Sequence, residues 1–184
     1  MLAPPPYLFT SKGLGLSALA SFVGIIVAYP IAGPLTDLLS QRMMRANHGI
    51  HKPEHRVPAL VFPFLIAPPG LIIFAYVIAQ HRSFYLAAIG YAMQSAGLVF
   101  VPSVVISYVV DAYPESGSEA LVLINVGKNL VAFGVSKTCV QWLEKEGLEK
   151  MMLELAGVQW AILSLGLPLY FAGPWIRKVS SAFL

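Results

Sequence analysis

Charge is scarce in this chain. Nine acids and twelve bases make up 11% of its 184 residues, less than half the share usual in a water-soluble domain. Hydrophobic residues reach 57% and mean hydropathy is +0.72, which excludes a solvated globular domain and makes lipid the solvent that the composition requires. Cysteine is nearly absent. Cys139 alone excludes a disulfide within the chain, and its place inside an apolar run reads as a small packing residue. The bases are scattered between apolar runs with no aromatic-interleaved patch, which excludes nucleic acid as a partner. No H-E-x-x-H, nucleophile elbow, P-loop or Gly-rich dinucleotide turn occurs, and no acid-base pair lies within an apolar run, so neither an enzyme nor a cofactor is expected. The opening MLAPPPYLFTSKG lacks the basic region of a signal peptide, and the apolar stretch after it is too long and lacks a cleavage site.

What the chain has is apolar runs near the length of about 20 residues that crosses a hydrocarbon core. Five are expected, 14–36, 57–79, 84–110, 119–142 and 151–173, here called A to E. The gaps carry loop punctuation: Asn47-His48-Gly49 and Lys52-Pro53, then His81-Arg82, then Tyr113-Pro114-Glu115-Ser116-Gly117, then Glu144-Lys145-Glu146-Gly147. The fold class is therefore all-α, a polytopic membrane helix bundle of five transmembrane helices forming one domain over residues 1–184. Arg42, Arg45, Lys52 and Arg56 crowd the A/B loop, which orients that loop and the C-terminus to the cytoplasm and the N-terminus outside. His48, His51, Glu54 and His55 share this loop, but Gly49 and Pro53 interrupt any common helix face and no cysteine assists, so no metal site is expected.

Polar residues are spread unevenly among the runs. B has only Tyr76 between its ends, which reads as a lipid-facing helix, and E is assigned to lipid as well. C places Gly90, Gln94, Gly97, Val101 and Tyr108 on one face, a stripe suited to close helix packing or to lining a cavity. D is the sharpest case. Asn125, Lys128, Asn129 and Ser136 share roughly a third of its circumference, with Lys128 about 14 Å into the helix, where an unpaired charge costs about 2.5 to 3.5 kcal/mol. Gln94, Asn125, Lys128 and Asn129 are the candidate substrate-cavity residues, with Asp111, Glu119 or a helix-end carbonyl as candidate partners of Lys128. The competing reading of Lys128 is a side chain that snorkels to the interface.

GPLTDLLSQRMMR, residues 33–45, resembles the second copy of the Gly-x-x-x-Asp loop motif of the major facilitator superfamily. Gly33 matches its glycine, Asp37 its acid, and Arg42 and Arg45 its trailing bases, while Leu38 stands where a base is usual and Ser40 where a second glycine often is. SYVVDAYPESGSEALVLINVGKN is similar to the helix 10 to helix 11 stretch of fungal transporters of the drug:proton-antiporter-like branch. Tyr108, Asp111, Tyr113, Pro114, Glu119, Ala120, Asn125 and Asn129 match that motif, and Lys128 replaces what is usually arginine.

By this resemblance A to E correspond to helices 8 to 12, and PPPYLF to the tail of the preceding loop. The resemblance implies the C-terminal portion of a secondary active, proton-coupled small-solute transporter working by alternating access, integral to the plasma membrane. Its partners would be an unidentified small solute, a proton and the lipid bilayer, with C and D lining the cavity. Asp37 would face the N-terminal end of a neighbouring helix, D being the candidate, and hold an inward gate closed. Such transporters contain two six-helix halves, so the first half and one further helix would lie outside this sequence. The alternative is a truncated, non-transporting membrane protein that packs with a full-length relative.

Overall fold

The computed structural model describes residues 11–80 and 84–180. The side chains of residues 11–14, 16, 17 and 174–180 are outside the description, as are the PPPYLF segment and the His81-Arg82 gap. All elements among the described residues are helical: α1 (Ser11–Ala46), a short 3-10 helix (Pro53–Leu60), α2 (Val61–Ala79), α3 (Phe84–Ala112), α4 (Gly117–Ser164) and α5 (Gly166–Ser180).

Four helices among the described residues are long and apolar enough to cross a membrane: Ala18–Ala46, Pro53–Ala79, Phe84–Ala112 and Gly117–Gly173. The expected count was five. Runs D and E lie together in the last segment, 57 residues long, where α4 leaves the helical backbone region at one residue and a turn at Leu165 separates it from α5. Gly147 has φ 76° and ψ 166°, a conformation essentially confined to glycine. There the chain doubles back, because the Trp142 indole donates to Glu154 Oε2 at 2.8 Å, whereas twelve residues of straight helix would hold them about 18 Å apart. The two limbs of α4, 117–146 and 148–164, thus correspond to D and the first part of E.

Small residues set the helix packing. α1 runs parallel to α3, with Ala28 and Ala32 buried against Phe100 and Ser21 Oγ 2.6 Å from Ser95 Oγ. α2 runs antiparallel to α3, and a Cβ added at Gly90 would stand 2.6 Å from the Gly70 carbonyl oxygen and 2.8 Å from the Phe74 nitrogen. Backbones approach that closely only where side chains vanish. The stripe on C is therefore split in use: Gly90 and Gly97 pack on α2, and Gln94 lines a cavity.

B is not a lipid-facing helix in this fold. It is the most buried of the four candidate spans, wedged between α3 and the second limb of α4, because Ala67, Gly70 and Ala75 offer a flat apolar surface for close contact. Its prolines add a polar tie. Pro68 has no N–H to give the Phe64 carbonyl four residues earlier, and the Trp160 indole donates to that oxygen instead, at 3.1 Å. The run assigned to E is thereby docked on α2. The first limb of α4 is the contrast: nearly every residue from 121 to 139 is exposed.

Candidate functional site

The polar constellation of this apolar chain sits where α1 ends, α2 begins and α3 ends. α1 stops because His48 at φ 57° and Gly49 at φ 79° turn the chain left-handed, with the Gly49 amide donating to the Met44 carbonyl at 2.9 Å. Pro53 then opens the 3-10 helix, in keeping with its preset φ, and carries Arg56 back toward α1 and α3.

Arg56 bridges two helices. Its Nη1 lies 2.5 Å from Asp37 Oδ1 on α1, and its Nε 2.6 Å from Asp111 Oδ2 on α3. The three groups are covered to different degrees, with side-chain exposure of 17% for Arg56, 21% for Asp111 and 56% for Asp37. His51 Nε2 reaches the same Asp111 oxygen at 3.0 Å. A planar guanidinium with donors on separate nitrogens suits this bridging role, which a lysine would fill only as a point charge. Ser40, Gln41 and Met44 complete a small cavity around Asp37, His51 and Arg56.

The two motifs noted in the sequence therefore meet, through a residue belonging to neither. Asp37's partner is Arg56, where an end of α4 was expected, and Asp111 is engaged by Arg56 and His51, where Lys128 was a candidate. Arg42 and Arg45 are exposed and in no ion pair among the described residues. Gly33 faces open space. Tyr113 closes α3 through its amide to the Val109 carbonyl at 2.9 Å, Pro114 lies in the exposed turn, and Glu119 occupies the first turn of α4, where an acid suits the helix dipole. Tyr108 is half-buried on the same last turns of α3.

The cavity candidates separate. Gln94 lines a cavity of about 480 Å³ between α3 and the second limb of α4, with Gln159, Leu98, Val101 and Leu155 among its walls. Asn125, Lys128 and Asn129 lie elsewhere, exposed on the first limb of α4, where Asn125 Nδ2 donates to the Leu121 carbonyl at 3.0 Å. Arg56 and His51 are what the sequence reading missed. Arg56 sits 19 residues from Asp37 and 55 from Asp111, so no local motif unites them. A visible signal was a base held at the very edge of an apolar run by the preceding proline.

Comparison with known proteins adds family context. No family model and no solved structure matches the chain. Protein HOL1 of Saccharomyces cerevisiae is 26% identical over 178 residues, covering 94% of this chain and 30% of that protein. An uncharacterized MFS-type transporter of Schizosaccharomyces pombe is 22% identical over 173 residues, with the same two coverages of 94% and 30%. A probable drug/proton antiporter of Saccharomyces cerevisiae, YHK8, is 35% identical over 97 residues, half of this chain and 19% of that protein. The chain thus spans about 30% of the length of the first two relatives. Its helices and its apolar composition agree with these likenesses: over nearly its whole length the chain resembles fungal proteins that include a named MFS-type transporter.

Proposed function

We propose that this chain is the C-terminal portion of a secondary active transporter of small solutes, coupled to protons and working by alternating access in the plasma membrane. Runs A to E then stand for helices 8 to 12, with the Arg56 end of the bundle cytoplasmic. The observation that carries the reading is the Asp37–Arg56–Asp111 bridge. It joins the ends of two membrane helices by two ion pairs at a water-accessible edge, where the contacts form and break without burying an unpaired charge deep in lipid. We read it as a latch holding one gate closed. Similarity to one protein named as a probable drug/proton antiporter supports proton coupling.

A second reading shares one observation with the first. The bare first limb of α4, with Lys128 and two asparagines on it, needs covering in a membrane, either by further helices of a longer polypeptide or by a full-length relative around a non-transporting protein. An immunoblot against the A/B loop separates these. A native band more than twice 19.9 kDa supports the transporter, and a band near 19.9 kDa supports the interaction protein.

The transport reading is then tested on the native polypeptide in vesicles loaded with a pH-indicating dye and offered drugs, amines, sugars and cations. A solute-dependent pH change that Arg56→Gln slows supports it. Uptake with no proton movement refutes the coupling, and no flux of any solute refutes the transporter.

A further inference from the structure

We propose that the cavity between α3 and the second limb of α4 binds an uncharged, largely apolar solute, whose N–H donor is received by Gln94 and Gln159. The proposal deepens the transporter reading by naming a class of solute, and rests on that reading for the solute being cargo.

The two glutamines are unfinished. Eleven residues line the cavity, none of them charged, and Gln94 on α3 and Gln159 on α4 are the two with polar side chains. Their Oε1 atoms are shut off from solvent and accept no hydrogen bond among the described residues. A covered acceptor without a donor is costly to a fold and rare in one. Ser95, next to Gln94, shows the ordinary outcome: its Oγ donates to the Tyr91 carbonyl at 2.9 Å and lies 2.6 Å from Ser21 Oγ. Packing thus finds partners for this helix's hydroxyl and leaves the two carboxamides to a group from outside. Pro102 adds a third acceptor to the same wall, because it has no N–H to give the Leu98 carbonyl four residues earlier, and both residues line the cavity.

Size and charge set the class. About 480 Å³ lies within the range of roughly 300 to 1,000 Å³ of small-molecule sites, which combine apolar walls with a few placed polar groups. With no acid on its walls the cavity does not offset the desolvation of a cation, and with no base it does not offset that of an anion. The many hydroxyls of a sugar would outnumber its acceptors. What fits is an apolar body ending in an amide or a ring N–H. A glutamine turned over presents its own N–H, so a solute carrying a carboxamide, donor and acceptor together, satisfies either orientation.

The test uses the native polypeptide in vesicles and an aryl trifluoromethyl diazirine bearing a carboxamide, attached by illumination and mapped by mass spectrometry to residues 94–102 and 155–163. Capture there is expected to saturate and to be displaced by excess para-tert-butylbenzamide. The same diazirine ending in a methyl or a trimethylammonium group is expected to need at least about three- to tenfold more in the membrane for half-saturation, the worth of one neutral hydrogen bond. Gln94→Leu and Gln159→Leu are each expected to weaken the carboxamide probe by that factor. Leucine removes a covered acceptor that has no donor, so neither variant is expected to unfold; unchanged helical content and unchanged capture of the methyl probe check this.

Equal half-saturation by the three probes, capture that never saturates, or carboxamide capture indifferent to both substitutions overturns the proposal. So does an absence of capture at both segments, the result expected if a further helix of the native polypeptide fills the cavity. Because capture needs no flux, saturable capture with no transport of any solute counts against the transporter reading alone, and transport without capture counts against this site alone.

Discussion

Replacing Arg56 with glutamine removes one charge from two unequal contacts, and the inequality is what the structure allows to be calculated. Toward Asp111, the lost bond joins side chains that are 17% and 21% exposed. A charge-assisted bond of that kind is worth about 1.5 to 3 kcal/mol. His51 remains at 3.0 Å, so Asp111 is not orphaned, and the loss stays below the roughly 3 to 5 kcal/mol of an uncompensated buried charge. Toward Asp37, which is 56% exposed, solvent screening limits the contact to about 0.2 to 1 kcal/mol.

Arg56→Gln is therefore expected to destabilise the bundle by about 2 kcal/mol, most of it through Asp111. Titration with a denaturing detergent, followed by tryptophan fluorescence, measures this, since Trp160 is seated on α2. Double-mutant cycles with Asp111→Asn and Asp37→Asn then apportion the loss. The reasoning is refuted if the Asp37 coupling equals or exceeds the Asp111 coupling, or if Arg56→Gln unfolds with the wild type.

Trp160→Phe is expected to cost about 1 kcal/mol by stranding the Phe64 carbonyl, and less than half of that in a Pro68→Ala background, where residue 68 regains the N–H that serves this oxygen. Equal losses in the two backgrounds would show that the indole bond does not compensate for the proline. Gly147→Ala forces a side chain onto φ 76° and ψ 166° and is expected to cost about 1 to 3 kcal/mol in the same titration. Gly127→Ala, mid-helix with nothing within 4 Å of an added Cβ, gains helix propensity and is expected to be neutral or slightly stabilising; similar losses at both glycines would contradict the reversal at Gly147.

The apolar runs and the turn after the first of them were legible in the sequence because length and punctuation are local properties: Asn47-His48-Gly49 turns the chain with the backbone angles its residue types favour. Which face of a run meets lipid was not legible. Run B looked bare of polar groups and was assigned to lipid, yet Gly70 and Ala67 make it the packing partner of α3. Lipid and a neighbouring helix are equally apolar surroundings, so hydropathy does not tell them apart. In the site, Asp37 and Asp111 stood out one at a time, each in its own motif. Their common partner depends on how far the A/B loop folds back, a tertiary fact with no period in the sequence.

The eight residues of the 3-10 helix have a mechanical consequence. One side is pinned to α1 and α3 by Arg56. The other is seated on α5, where Glu54 fills the space that a Cβ at Gly173 would need, 2.8 Å from Oε1, and Leu60 does the same at Gly166, at 2.9 Å. A segment held on both sides removes a degree of freedom. α1 and α3 do not slide past the α4–α5 junction independently while both sets of contacts hold, and breaking the Arg56 side leaves the segment travelling with the junction. The short helix thus acts as a clutch, and its engaged side decides which part of the bundle moves as one body.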